Sequence, residues 1–156
     1  MQTFLPYPDY AASAKVLDRQ RLGKQRVENL QIIKALLDPT YGWQNHPAVK
    51  MWRGHIISLL DYQAAICSEW VGRGYKDTCL DKSFALLNEY GGELRIIPPY
   101  WMGNMEIHTS HQSNLMRKFP EHYGQYFDVP NDLEYVWPTA AWVKRFILIF
   151  LYQRIF

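Results

Sequence analysis

A chain of 156 residues is long enough for one domain with a hydrophobic core of ordinary size. Hydrophobic residues make up 48% of the chain and charged residues 21%, which excludes an intrinsically disordered protein. The formal net charge is only +2, so a strongly basic surface can arise only where cations cluster.

Apolar residues recur mostly at helical spacing, and this periodicity predicts an all-α fold. Asp18 is expected to cap a first long helix that runs to about Leu37. Its apolar stripe is predicted to consist of Leu22, Val27, Leu30, Ile33 and Leu37. Gly23 inside this helix is unfavourable by about 1 kcal/mol relative to alanine, which indicates a close approach of another group at that point.

Three further helices are predicted downstream. The first begins at Pro47 and runs to about Val71, and the second covers Leu80 to Tyr90. The third begins at a capping box formed by Thr109 and Gln112 and ends at Pro120. These helices are therefore assigned to one compact helical domain.

The last residues, 138–156, are predicted to be an apolar extension packed on this domain or at an interface. Their apolar run, "AAWVKRFILIFLYQRIF", is interrupted by Lys144 and Arg145 and is shorter than the roughly 20 residues of a membrane span. The start, "MQTFLPYPDY", has no basic region and carries two prolines, so we expect no secretory signal and a cytoplasmic protein. Cys67 and Cys79 are then expected to be reduced thiols.

The segment "DRQRLGKQRVENLQ", residues 18–31, holds the densest cluster of cations. It contains Arg19, Arg21, Lys24 and Arg26 and then one acid, Glu28. In a helix, Glu28 shares a face with Lys24 and Arg21. This face is either a solvated surface with an ordinary ion pair, or a site where cations hold phosphates and a carboxylate stabilises a cationic sugar.

The loop "YGWQNHPAVKMW", residues 41–52, is a second candidate for contact with nucleic acid. Asn45 and His46 precede a helix N-terminus, which favours an anion. Trp43 is able to stack on a base. The alternative is that Trp43 and Trp52 belong to the core and that His46 caps the helix.

The segment "IHTSHQSNLMRK" is a third candidate. His108 and His111 have a spacing that allows a metal site, but no carboxylate or cysteine completes a ligand set, and we expect no metal. A phosphate-binding helix start, with Ser110, Ser113, Arg117 and Lys118, is favoured instead.

Four stretches in collinear order carry a resemblance to a known family: "LGKQRVENLQ", "GWQNHPAVKMW", "EWVGRGYKDT" and "SHQSNLMRKFPEHYGQYF". Over about residues 1–137 the chain resembles the pyrimidine-dimer DNA glycosylases, the family of phage endonuclease V. The resemblance implies an all-α, endonuclease V-like fold and an enzyme that bends the duplex, flips a nucleotide and cuts the N-glycosidic bond of a pyrimidine. Glu28 corresponds to the catalytic glutamate of that family, because it keeps the family's spacing from Leu22.

The nucleophile is left open by the sequence. The phage enzyme of the family attacks with the amine of an N-terminal threonine, whereas Gln2 follows Met1 here. The alternatives are the Met1 amine, Lys24, or water activated by Glu28 alone. Without an amine nucleophile the enzyme would leave an abasic site and cut no strand.

These observations predict a DNA glycosylase that acts in DNA repair or in defence against phage. Its base would be an ultraviolet dimer or a hypermodified phage base such as glucosylated hydroxymethylcytosine. Glu28 and Lys24 are the predicted catalytic residues, and the predicted DNA-binding residues are Arg19, Arg21, Gln25, Arg26, Trp43, Asn45, His46, His111, Ser113, Arg117 and Lys118. We expect a monomer on double-stranded DNA with no cofactor. The alternative is a non-catalytic module that binds DNA or RNA, for which Glu28 would be a disadvantage.

Overall fold

The computed structural model describes residues 1–91 and 96–138, and these residues form α-helices without any strand. The helices are α1 (Tyr10–Val16), α2 (Arg19–Leu37), α3 (Pro47–Trp52), α4 (Ile56–Gly72), α5 (Cys79–Tyr90), α6 (Met105–Lys118) and α7 (Pro120–Tyr123). Helix α2 packs against α3, α4 and α5, while α1 lies on α4 and α7 lies against α6. The predicted all-α fold is confirmed.

Helix α2 begins and ends where the sequence predicts. The Asp18 carboxylate accepts the backbone N–H groups of Gln20 and Arg21 at 2.8 and 3.2 Å, and therefore satisfies two free donors of the first turn. The predicted apolar stripe is wrong in part, because Val27 is 44% exposed. The buried face instead combines Leu22, Ile32 and Ile33 with polar side chains, namely those of Gln25, Glu28 and Asn29.

The long helix predicted from Pro47 to about Val71 is two helices, α3 and α4. The chain turns between them at Gly54, whose φ of +82° lies in the left-handed region that glycine adopts without steric cost. Helix α6 also differs from the prediction, because it begins at Met105 and not at Thr109. Its cap is Asn104, whose side chain accepts the Glu106 N–H at 2.9 Å. Helix α1 was not predicted, whereas α5 and the end of α6 before Pro120 are confirmed.

Gly23 does lie at a close approach, as its position in the helix predicts. A β-carbon there would lie 2.9 Å from Cζ3 of Trp70. The indole of Trp70 is fixed between the guanidinium of Arg26, at 4.2 Å, and the ring of Tyr75, at 4.3 Å. The missing side chain of Gly23 therefore makes room for an aromatic stack on the surface of α2.

The first six residues run through the interior and are held there by side chains from the helices. The carbonyl of Phe4 accepts the Tyr62 hydroxyl at 2.5 Å. The Leu5 N–H donates to His111 Nδ1 at 2.9 Å, and His108 Nδ1 donates to the Leu5 carbonyl at 2.8 Å. Because each buried backbone group needs a partner, these bonds allow an extended segment to lie inside a helical protein.

Cys67 and Cys79 are buried free thiols, as predicted. None of the described helices is long and apolar enough to cross a membrane. The predicted apolar extension lies outside the described residues from position 139 onward.

Candidate active site

Glu28 on α2 is a desolvated carboxylate. Its side chain is only 9% exposed, and its Oε1 lies 3.7 Å from Lys24 Nζ one helical turn away. Its Oε2 is buried without a hydrogen-bond partner among the described residues. Burial raises the pKa of Glu28 above its ordinary value, and the charges of Lys24, the N-terminal ammonium and Lys118 act in the opposite direction. A buried charge that the fold leaves partly unpartnered is a feature of functional sites.

The N-terminal ammonium of Met1 lies within electrostatic reach of two predicted site residues. Its charge acts on Glu28, and it also lowers the pKa of His46, after the larger effect of burial. The field of this one amine therefore reaches both the carboxylate on α2 and the loop before α3, although Glu28 and His46 lie 18 positions apart in the sequence.

Gln25 fixes the start of the chain beside Glu28. Its Nε2 donates to the Gln2 carbonyl at 3.0 Å, and its Oε1 accepts the Phe4 N–H at 2.9 Å. The same Nε2 donates to Asn29 Oδ1 at 2.7 Å, which holds the amide in this orientation. Thr3 lies in the sequence between Gln2 and Phe4, and its hydroxyl oxygen accepts a hydrogen bond from Trp52 Nε1 at 3.2 Å.

Cations from two helices surround a cavity of about 240 Å³ next to the N-terminal segment. Its lining is formed by Gln2, Phe4, Gln20, Arg21, Lys24 and Lys118. Burial lowers the pKa of Lys118, and the neighbouring charges of Lys24 and Arg21 lower it further. Like charges repel one another, so a cavity with this lining favours an anion such as a phosphate.

A wider groove of about 600 Å³ follows the same face of α2. Arg21 and Lys24 line both the cavity and the groove. The groove is also lined by Arg19, Gly23, Trp70 and Phe119. The guanidinium of Arg19 lies 5.2 Å from the centre of the Tyr75 ring and remains exposed to solvent. The groove combines cations with aromatic surface, which is the composition of a nucleic-acid contact.

The loop before α3 exposes Trp43. This side chain is 63% exposed, although that of Trp52, nine positions later in the sequence, is fully buried. His46 caps α3, because its Nδ1 accepts the Ala48 N–H at 3.1 Å. The capping role of His46 is thus confirmed, whereas the alternative that Trp43 belongs to the core is wrong. Asn45 beside them is exposed.

Three of the predicted DNA-binding residues lie in the interior. Gln25, His111 and Ser113 are fully buried, because each satisfies a backbone group of an extended segment. His111 accepts the Leu5 N–H, and the Ser113 hydroxyl accepts the Leu133 N–H at 3.1 Å. These three side chains therefore hold backbone segments from the interior and do not lie on a surface that could face DNA.

Three predicted arginines already have partners within the fold. Arg21, which lines the cavity, lies 3.6 Å from the Asp18 carboxylate and donates to the Lys118 carbonyl at 3.2 Å. Arg26 forms an ion pair with Asp77 and is 13% exposed. Arg117 donates to the carbonyls of Asn131 and Leu133, both at 2.8 Å. Neither Arg26 nor Arg117 is free to turn to a phosphate without losing these bonds.

The histidine pair of α6 binds backbone groups. The His108 Nε2 accepts the Gly103 N–H at 3.1 Å, and its other nitrogen donates to Leu5. The described part of the chain has no group of three or more side chains able to hold a metal ion.

Sequence reasoning missed Tyr135 and Trp137, which support the site from the segment after α7. The Tyr135 hydroxyl donates to the Thr3 carbonyl, and the ring of Trp137 lies 4.6 Å from that of Tyr135. No local signal marks them, because they reach the N-terminal segment across more than 130 positions.

A family model described as pyrimidine dimer DNA glycosylase matches residues 1–83, which is more than half of the 156 residues. The chain belongs to this family. The match includes the N-terminal segment, α2 with Glu28, and the loop that carries Trp43 and His46. Membership implies pyrimidine dimer DNA glycosylase activity in the broad sense, and with it DNA binding. No curated protein and no solved structure matches the chain.

Proposed function

We propose that this glycosylase extrudes and excises a damaged or modified pyrimidine, with Glu28 and the Met1 amine acting together on the sugar, and leaves an abasic site. The observation that carries the proposal is the buried Glu28 carboxylate, which lies in the field of the N-terminal ammonium and beside a cavity lined with cations. Among damaged bases, the family points to an ultraviolet dimer; a hypermodified phage base is the second substrate to test.

The amine reaction requires a neutral nucleophile near the sugar. The amine lone pair forms a bond to C1′, and the electron pair of the C1′–N1 bond leaves with the pyrimidine, which takes up a proton. The amine then loses a proton, the sugar ring opens to an imine, and water releases the abasic sugar and the free amine.

Glu28 supports this reaction through its charge. The sugar becomes positively charged as the glycosidic bond breaks, and a preorganised carboxylate in a dry site stabilises that charge. Lys24, 3.7 Å from the carboxylate, is mostly exposed and lines the cavity. We therefore assign Lys24 to phosphate binding together with Arg21 and Lys118.

A non-catalytic DNA-binding module is the alternative, and Glu28 argues against it. A carboxylate among phosphate-binding cations weakens DNA binding, and its burial without a full set of partners destabilises the fold. A protein that only binds DNA gains nothing from this weaker binding and lower stability, whereas an enzyme gains a charge that takes part in the reaction.

The test is incubation of the protein with ultraviolet-irradiated, plain and hypermodified phage DNA, followed by measurement of abasic sites and of borohydride-trapped adducts. Intact mass defines the terminal residue, and peptide mass locates the trapped amine. We expect abasic sites in irradiated DNA and an adduct on the N-terminal peptide.

Three variants separate the possible nucleophiles. Lys24→Ala and Lys118→Ala should still form the adduct, whereas two extra residues before Met1 should abolish it. Base release without any adduct would mean that water attacks, and loss of the adduct in Lys24→Ala alone would move the nucleophile to α2. No release from any of the DNAs would favour the binding module. Gel filtration with and without duplex tests the expected monomer.

A further inference from the structure

Trp43 combines an unfavourable backbone with an exposed side chain. Its φ of +71° makes it the one non-glycine residue of the described chain in the left-handed region. That region is unfavourable for a bulky residue unless the surroundings enforce it. Because the indole is 63% exposed, the fold gains little burial from holding it there. Strained residues of this kind cluster at ligand-binding sites.

The indole belongs to an aromatic group beside the N-terminus. The ring of His46 lies 5.8 Å from that of Trp43 and 6.4 Å from that of Trp137, in edge-to-face geometry in both cases. Trp137 is tied through Tyr135 to the carbonyl of Thr3, two residues from the amine. The ammonium charge that acts on His46 also acts on Glu28. The aromatic group is therefore connected through Tyr135 to the N-terminal segment, whose ammonium charge acts on Glu28.

These side chains have the chemistry of a base-binding site. Every nucleobase has a π-face, and stacking on tryptophan does not depend on the base sequence. The cap bond of His46 adds a donor, because a neutral ring whose Nδ1 accepts the Ala48 N–H carries its proton on Nε2. Nucleobases present carbonyl and ring-nitrogen acceptors to such a donor.

We propose that Trp43, His46 and Trp137 form the subsite that receives the nucleobase extruded from the duplex at the lesion. This inference rests on the proposed glycosylase function and adds the place of the extruded base. The Arg21, Lys24 and Lys118 cavity then holds backbone phosphates, and the amine and Glu28 act on the sugar.

Two variants of Trp43 separate stacking from folding. Trp43→Gly removes the indole and also relieves the positive φ, so its melting temperature should equal or exceed that of the wild type. Its affinity for a lesion duplex, measured by fluorescence anisotropy, should fall by roughly 5- to 100-fold, the range of one base–aromatic stack. Trp43→Phe keeps an aromatic face and should recover most of that affinity. Equal affinity of wild type and Trp43→Gly would overturn the proposal.

Matched duplexes identify which base is bound. One duplex carries an abasic analogue in place of the lesion nucleotide. The other carries the analogue in place of the nucleotide opposite the lesion. The affinity difference between wild type and Trp43→Gly should vanish on the duplex that lacks the bound base, and its persistence on both would overturn the subsite.

A fluorescent base reports extrusion independently of catalysis. With 2-aminopurine at the position identified by the matched duplexes, wild-type protein should raise its fluorescence by unstacking it, and Trp43→Gly should change this signal. Such a change without any base release by the wild type would support the subsite and refute the proposed glycosylase activity. Base release with affinity and fluorescence identical in both proteins would refute the subsite and leave the activity standing.

Discussion

Replacement of Glu28 by glutamine is the most direct perturbation of the proposed site. The change keeps the size of the side chain and removes its charge. In the structure this charge is nearly enclosed, with 9% of the side chain exposed, and its Oε2 has no partner among the described residues. The carboxylate is thus positioned to interact with a cationic sugar more strongly than with solvent.

The expected magnitude follows from the electrostatics of a partly buried pair. Two unit charges about 4 Å apart interact by about 4 kcal/mol at an effective dielectric constant of about 20. A loss of that size slows the chemical step by up to about three powers of ten. Because the sugar carries only part of a full charge, we expect Glu28→Gln to reduce single-turnover base release by at least about 100-fold. DNA affinity should hold or rise, because a negative charge near the phosphates is removed.

Single-turnover formation of abasic sites in an irradiated duplex is the assay, because a dimerised pyrimidine stays bonded to its neighbour after its glycosidic bond is cut. Anisotropy gives the affinity. Glu89→Gln on α5 is the matched control, since Glu89 is exposed and lies outside the site. A Glu28→Gln protein that forms abasic sites within tenfold of the wild-type rate would refute the catalytic role of this carboxylate.

The same substitution predicts a pH-dependent change in stability. The pKa of Glu28 is raised in the folded protein, so the folded state disfavours the ionised carboxylate. This penalty is fully present above the folded-state pKa and disappears as the pH falls below the ordinary value of 4.5. Glu28→Gln should therefore melt at a higher temperature than the wild type at pH 7, with the difference shrinking toward pH 4. A constant difference across this range would contradict the raised pKa.

Four further substitutions test the packing of α2 and the charges on and around it. Gly23→Ala should lower the free energy of unfolding by about 1 kcal/mol, or about 2–4 °C in melting temperature, since crowding of Trp70 outweighs the better helix propensity. Gly72→Ala, where a β-carbon meets nothing within 4 Å, is its control and should not destabilise. Lys118→Ala should reduce the slope of log affinity against log salt by up to about one unit. Arg26→Ala should leave this slope unchanged and lower the melting temperature, and a changed slope would show that it contacts a phosphate.

Local signals were sufficient to predict much of the helical fold. The Asp18 side chain caps the first turn of α2, and Pro120 has no N–H with which to continue α6. Both effects can be read from the local sequence, so α2 and the end of α6 are predicted correctly. Gly54 could have indicated the break between α3 and α4, but an apolar pattern that continues on both sides concealed it. Asn104 was missed as a cap, because the Thr109 and Gln112 spacing offered an equally good local signal.

The candidate site could be predicted only in part. Glu28 and Lys24 lie one helical turn apart, so their ion pair follows from the spacing alone. Lys118 reaches the cavity beside Lys24 through tertiary contacts, and the charge of the Met1 amine acts on Glu28 from the other end of the chain segment; no local pattern specifies either. The burial of Gln25 could not be foreseen for the same reason, since its partners are backbone groups of Gln2 and Phe4.

Two departures from the expected hydrophobic pattern lie in α2 and in the loop that follows it. Helix α2 buries Gln25, Glu28 and Asn29, where an ordinary amphipathic helix would bury apolar residues, and the next loop exposes Trp43 in a strained conformation. Natural sequences violate local rules mainly where function requires it. Gln25 and Asn29 recover hydrogen bonds by holding the first residues of the chain, so their burial is stabilising as a network. Within the described protein Glu28 has only the ion pair with Lys24 and Trp43 only the edge-to-face contact with His46, and the proposed complex with DNA would give each a further partner.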